Sequence, residues 1–481
     1  MPPPDGLWSP NRRALTAGLV STITLIAFEA LAIATVMPVV AEELGRVDLY
    51  GWVFSAFLLS SLLGIVIAGL MIDRGGLVRP FLAGLALFAA GLIVAGAAPT
   101  MEILVIARFA QGLGAGAVPP IAYVAIGRAL PEGLRPLMFA TLSTAWVVPG
   151  LIGPWIAGVV ADALHWRLVF LGLLPILAVA GLVTVRALQV GVPDRPPSPD
   201  SAEHRAAAAS ARRLPLAVLL VVGAAALIAG LTGAEPPLAV GLVGVGAVVT
   251  GFAFARLTPP GTLVARRGLP AAVILRGVLT FAFFAADLYV ALALVSVRGL
   301  KPAEAGLALT AATLSWTAGS WIQARNARRF SARAFVASGF GIVTLGIAAF
   351  GLVLLPGTPV VIGVAVWAVV GLGMGLSYSP LALVVLRDAA PEAQGAATSA
   401  LQLSDVLGTA LGAGIGGALV AAGERAGDLA LGLAGAFVVA AAVAAAGFLA
   451  SPRLGSRDGR PMVTTEARPE AAPPPEPETH G

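Results

Sequence analysis

The sequence predicts an all-α integral membrane protein with about fourteen transmembrane helices. Three observations carry that expectation. Of the 481 residues, 58% are hydrophobic. Only 11% are charged, against roughly a quarter in an ordinary soluble chain. The apolar residues also gather in runs of about 18 or more, each long enough to cross a bilayer. With a mean hydropathy of +0.92, a soluble enzyme and a disordered chain are both excluded. The 58 glycines suit closely packed helices. A β-barrel would show alternating ten-residue segments instead.

Taken in order, the first six runs fall at roughly 14–38, 51–72, 80–98, 102–127, 136–160 and 168–188. Residues 189–213 are rich in Pro, Ser and charge and read as a linker. Two more spans follow at about 214–232 and 237–256. Six final spans cover about 270–296, 303–324, 334–355, 359–384, 393–420 and 428–450. The tail, 452–481, is too polar and proline-rich to fold alone. The expected organisation is an N-terminal segment 1–13, a six-helix bundle 14–188, the linker, an extra helix pair 214–256, a second six-helix bundle 257–451, and the tail.

An even number of spans puts both termini on one side. With that side cytoplasmic, the outer loops hold only Arg46, Arg167, Arg298, Lys301 and Arg425 among the 30 basic residues. This is the asymmetry that the positive-inside rule describes. The net charge of +5 is therefore topological and implies no nucleic-acid partner. The chain has no Cys and only three His, so disulfides and His/Cys metal sites are not expected. No phosphate-binding loop of the G-x-x-x-x-G-K-[ST] kind occurs, which excludes ATP hydrolysis by that route.

The two sets of six look like copies. Gly112-Leu-Gly114-Ala-Gly116 matches Gly371-Leu-Gly373-Met-Gly375, Pro131-Glu132 matches Pro391-Glu392, and Glu29 matches Asp287, all at nearly the same offset. Parallel six-helix repeats are one architecture of secondary transporters.

Three motifs stand out. Gly69-Leu-Met-Ile-Asp73-Arg74-Gly75-Gly76-Leu-Val-Arg79 fits G-x-x-x-D-R-x-G-x-x-R at every fixed position. Here Gly69 allows close helix approach. Asp73 can face the N-terminal end of a neighbouring helix, where negative charge is favoured. Gly76 supplies a tight turn, and Arg74 and Arg79 hold the loop on the inner side. The second motif is Arg108-x-x-Gln111-Gly112. The third is Pro149-Gly150-x-x-Gly153-Pro154-x-x-Ala157-Gly158, whose Pro and Gly bend a span and let a neighbour pack closely.

On these motifs the chain resembles the major facilitator superfamily over about 14–450, and its 6 + 2 + 6 layout is similar to that of the family's fourteen-helix drug:proton antiporters. The resemblance implies the major facilitator fold: two six-helix bundles plus a central extra helix pair. It departs from the exporter pattern at Pro149 and Ala157, where the family has Gly. In the first helix Glu29 stands for the family's Asp. In the second half Gln323 and Ala324 replace the Asp-Arg of the loop motif.

An ionisable residue near mid-span costs about 2.5–3.5 kcal/mol on insertion scales and is a functional hypothesis by default. Glu29, Arg108, Asp287 and Asp405 have that status; Arg276, nearer its span's end, is expected to snorkel. The resemblance makes helices one and four neighbours, so Glu29 pairs with Arg108. Burial favours a neutral carboxyl and a guanidinium favours a charged one. Proton and substrate then compete for the site. The rival role for these charges is a static lock between helices, and Asp405 alternatively bonds a neighbouring backbone. Phe28, Trp146, Phe283, Phe284, Tyr289 and Trp316 are candidates for a substrate surface, since aromatic faces bind organic cations; the rival role is helix packing.

The expected function is a proton-driven exporter of small amphipathic or cationic compounds, monomeric, multi-pass in a bacterial inner membrane, with both termini cytoplasmic and no cofactor. Export of an endogenous metabolite or lipid on the same fold is the alternative. A sensor would carry a sizeable soluble domain, and an enzyme a convergent nucleophile or metal set; neither is visible.

Overall fold

The computed structural model describes residues 6–45, 49–191, 213–232, 236–300, 302–355 and 357–455. Arg46, Lys301 and most of the expected linker and tail lie outside the described residues. Among the described residues every regular element is a helix. The first half contains α1 (Arg13–Leu44), α2 (Tyr50–Gly75), α3 (Val78–Gly96), α4 (Met101–Ala129), α5 (Arg135–Thr144), α6 (Val147–Ala163), α7 (Arg167–Leu171) and α8 (Leu173–Gly191). The inserted pair is α9 (Arg213–Thr232) and α10 (Pro236–Leu257). The second half contains α11 (Leu269–Leu292), α12 (Pro302–Asn326), α13 (Ala332–Gly351), α14 (Val360–Asp388), α15 (Gln394–Arg425) and α16 (Leu429–Ala450).

Among the described residues, thirteen stretches are long and apolar enough to cross a membrane. The 25-residue α12 is the fourteenth span. It is the more polar one because it lies in the seam between the halves, against α5 and α6. The sequence reads the fifth and sixth spans as continuous, but each is interrupted: α5 gives way to α6 at 145–146, and α7 to α8 at Gly172. A proline contributes to each break. Pro149 offers no N–H to the carbonyl of Ala145 and its ring crowds that carbonyl; Pro175 does the same to Leu171. Polar side chains start the helices that follow short loops. Ser331 accepts from the N–H of Ala334 at 3.3 Å, and Asp428 from that of Leu431 at 2.8 Å.

Helix crossings are built twice. In the first half α2 crosses α4, and in the second α12 crosses α14. A Cβ placed on Gly112 would sit 2.1 Å from the carbonyl oxygen of Phe57, and one on Gly371 would sit 2.2 Å from that of Ala312. No larger residue fits either crossing, which explains why the glycines recur at one offset. The α9–α10 pair packs against α2 and α15, one helix from each half. Its apolar contacts join Leu62 and Val66 to Leu220, Ala224 and Phe254, and on to Leu403 and Leu407.

Both halves share one apolar core on the face where α1 begins and α16 ends, which we call the basic face. There Ile126 and Phe139 belong to the same cluster as Leu386 and Leu401.

Candidate functional site in the seam between the halves

Glu29 sits inside an otherwise apolar stretch of α1, and Arg108 in the second turn of α4. Both are buried, with relative exposures of 0% and 2%. Arg108 Nη1 donates to Glu29 Oε1 and, at 2.8 Å, to Gln111 Oε1 one turn along α4. Its Nε donates to the carbonyl of Val53 at 3.1 Å, and its guanidinium lies 4.3 Å from the centre of the Phe57 ring. Glu29 Oε2 and Gln111 Nε2 are buried without a hydrogen-bond partner. The pair is thus closed off, and one of its acceptor atoms remains unused.

The second half carries two acids in different surroundings. Asp287 Oδ1 accepts from the indole Nε1 of Trp367 at 2.9 Å. The residue as a whole is half-buried. Asp405 Oδ1 accepts from Arg276 Nε at 3.1 Å, and its Oδ2 accepts from the hydroxyl of Tyr378 at 2.8 Å. Arg276 also donates to the carbonyl of Tyr378 and, at 3.1 Å, to the hydroxyl of Tyr123 in the other half. The snorkelling expected of Arg276 is corrected here: it is fully buried. Helices α14, α15 and α4 enclose α11 at this depth, so the guanidinium takes three oxygen acceptors within reach instead of water. Asp405 is accordingly held by a cation rather than by a neighbour's backbone.

The aromatic candidates divide. Phe283 packs edge-on against Phe284 and Trp316, at centroid distances of 5.1 and 5.4 Å, and stacks on Trp367 at 5.9 Å. Trp316 in turn meets Tyr378 at 5.2 Å. This makes a continuous aromatic wall between Asp287 and Asp405. Phe28 lies instead by Gly153, where a Cβ would be 3.5 Å from its ring. Trp146, at the break between α5 and α6, is 45% exposed. Tyr289 ties α11 to α15 by donating to the carbonyl of Ala413 at 2.7 Å, with its ring over Gly416; that is helix packing. Trp367, Tyr378 and Tyr123 were missed in the sequence. Trp367 carried a signal, because it stands one repeat offset beyond Arg108.

The loop motif lies at the seam. Asp73 Oδ1 and Oδ2 accept from the backbone N–H of Gly395 at 2.9 Å and of Ala396 at 3.0 Å. These are two of the unsatisfied donors in the first turn of α15. Gly69 makes the approach possible, since a Cβ there would lie 2.2 Å from Ser399 Oγ. Ser399 donates to the carbonyl of Ile65 at 2.9 Å. Gly76 ends α2 with φ 86, a value a side chain would strain. Arg79 is exposed. The side chains of Arg74 and Pro154 lie outside the described residues. Gly158 is not tightly packed, as a Cβ there would be 4.0 Å from Thr35. On the opposite side of the seam Ser143 bonds Ser320 and Trp321 donates to Thr144, at 3.1 and 3.0 Å. Together with Tyr123–Arg276, these contacts tie the halves on the basic side.

Comparison with known proteins agrees with this arrangement. The sequence model of the Major Facilitator Superfamily matches residues 19–404. A probable multidrug-efflux transporter of Mycobacterium tuberculosis is 29% identical over 404 residues, covering 79% of this chain and 82% of that protein. The multidrug transporter protein MdtP of Bacillus subtilis is 31% identical over 179 residues, 37% of this chain and 33% of that protein. Among solved structures, the human organic anion transporter MFSD10 aligns with a TM-score of 0.67 at 14% identity, covering 92% of this chain and 99% of that one. The proton:xylose symporter XylE aligns with a TM-score of 0.62 at 12% identity, covering 91% and 94%. The chain therefore belongs to the major facilitator superfamily, a family of membrane transporters of small molecules and not of enzymes.

Proposed function

We propose that this transporter exports small amphipathic or cationic compounds in exchange for protons, as a multidrug efflux pump working by alternating access. The observation that carries the reading is the aromatic wall of Phe283, Phe284, Trp316 and Tyr378, flanked by two carboxyls inside the membrane. Aromatic faces and carboxylates both attract an organic cation, and a carboxyl that binds a proton gives the cation up. Glu29, Asp287 and Asp405, with Arg108, are the coupling groups in this reading. The relatives named as multidrug transporters support the substrate class.

The same reading makes the protein a monomer in a bacterial inner membrane with both termini cytoplasmic. The proton gradient drives it without a bound cofactor or a nucleic-acid partner. Inverted vesicles with an imposed pH gradient test it: ethidium is expected to accumulate with the gradient and to stop when the gradient is collapsed. Unchanged accumulation in both Glu29→Gln and Asp287→Asn would overturn the mechanism.

A further inference from the structure

The repeat sets two sites side by side for comparison. Asp287 stands where Glu29 stands in the first half, at an offset of 258 residues, and Trp367 stands where Arg108 stands, at 259. The crossings that position them are built alike, by the glycines at 112 and 371. The partners differ. Glu29 meets a guanidinium, whereas Asp287 meets a neutral indole N–H.

The geometry points to Asp287 as the group that carries the exchanged proton, with Trp367 as the residue that positions it. This rests on the antiport reading above and assigns its proton to one of the three acids. Three arguments support it. First, a carboxylate in low dielectric needs a compensating charge or a proton. Glu29 has Arg108 and Asp405 has Arg276, while Trp367 brings Asp287 a donor without charge, which leaves the proton as the neutralising partner. Second, Asp287 is half-buried as a residue and Glu29 is fully buried, so Asp287 is the less enclosed of the two. Third, the indole is clamped. It stacks on Phe283 at 5.9 Å and meets Phe350 edge-on at 5.1 Å, which fixes the direction of its N–H.

Phe283 lies one turn before Asp287 and also touches Trp316. A cation settling on that wall therefore lies beside the carboxyl that must lose its proton. Within the spans of the helices packed on α11, the other titratable side chains are Tyr378 of α14 and Asp405 of α15; α12, α13 and α16 bring none between 305–324, 334–351 and 429–450. Tyr378 and Asp405 are already joined to Arg276.

The test uses the full chain in proteoliposomes with tetraphenylphosphonium as the probe. Two activities are read: accumulation driven by a pH gradient, and counterflow, which exchanges the probe with no net proton movement. Asp287→Asn is expected to lose accumulation to background while exchange falls only in part, because it also loses the carboxylate's attraction for the cation. Glu29→Gln is expected to slow both activities together. Trp367→Phe, which keeps the ring and removes the N–H, is expected to accumulate about tenfold less while exchanging, the worth of one hydrogen bond to a charged group. Trp367→His, which returns a ring N–H, is expected to recover part of the loss. A parallel loss of both activities in Trp367→Phe would make it a packing residue and overturn its role.

A measurement on the wild type guards against variants that fail to fold. Dicyclohexylcarbodiimide adds to protonated carboxyls in apolar surroundings, and mass spectrometry locates the adduct. Modification at Asp287, blocked by the probe, is expected. Modification at Glu29 in its place, or wild-type accumulation by Asp287→Asn, overturns the assignment. Absence of gradient-driven accumulation in the wild type would instead remove the antiport reading itself.

Discussion

Replacing Asp73 by Asn tests what holds the basic face shut. The carboxylate accepts two backbone N–H groups of α15, from Gly395 and Ala396. Hydrogen bonds to a charged acceptor are worth about 1.5–3 kcal/mol each. A negative charge at a helix N-terminus adds roughly 0.3–1 kcal/mol. Asn keeps one acceptor oxygen and turns an amide N–H₂ toward the second donor. The variant therefore loses about one charged bond and the charge itself, or about 2–4 kcal/mol of preference for the closed face. At 1.4 kcal/mol per decade this is a shift of roughly thirtyfold to several hundredfold in population.

The assay is pulsed electron–electron spin resonance between labels on Glu132→Cys and Arg387→Cys. These two exposed positions line one cleft across the seam. The chain has no native Cys, so the labels go nowhere else. In the Asp73→Asn background the distance distribution should gain a longer component and the short one should fade. A distribution that superimposes on that of the parent would refute the reasoning, because the two bonds would then carry none of the closure.

Three further outcomes follow from the structure. Arg276→Met leaves the half-buried Asp405 without its cation and should lower stability by about 3 kcal/mol, whereas Arg276→Met with Asp405→Leu should recover most of it; thermal unfolding in detergent compares them. Gly112→Ala drives a methyl into the backbone of Phe57 and should cost about 1–3 kcal/mol or more, while Gly158→Ala, with open space before it, should stay within about 0.5 kcal/mol. On the opposite face Arg167 and the indole N–H of Trp166 both bond Glu43, at 2.5 and 2.6 Å, and hold its carboxyl below the ordinary glutamate range. A lowered carboxyl contributes stability at neutral pH that is lost as pH falls through its titration. The difference in unfolding temperature between the parent and Glu43→Gln should thus be small, as for an exposed pair, and should shrink as pH falls below the ordinary glutamate range.

The sequence makes some of this legible because the relevant physics is local or repeated. A span declares itself by its run of apolar residues, and α12 only weakly, because its Ser, Thr and Gln residues serve the seam. The close approach at Gly69 and the helix-facing carboxylate of Asp73 were readable from residue type, but not that the helix it faces is α15. The Glu29–Arg108 pairing needed only the neighbourhood of two helices. Arg276 was misread because its surroundings come from residues far along the chain: Tyr123, Tyr378 and Asp405. Distance from a span's end cannot reveal that a helix of the other half covers it. Trp367 was overlooked for a different reason. A repeat shows itself through residues that match, whereas here the informative event is a mismatch, Trp for Arg, at a matching place. The breaks at 145–146 and Gly172 were implicit in Pro149 and Pro175, yet Pro119, Pro120 and Pro380 sit inside unbroken helices. Proline alone therefore does not decide the outcome.

The position of α9 and α10 has a mechanical consequence. They rest on α2 and α15 through Ala217, Leu220, Ala224 and Leu407, side chains that have no preferred direction of contact. In lipid, surface uncovered there passes to acyl chains and not to water, so displacement costs little. The Asp73 bonds a few turns away are directional and are either made or broken. The same stretch of seam thus combines a bearing with a catch: an apolar surface that resists sliding little, beside directional polar bonds that hold one register.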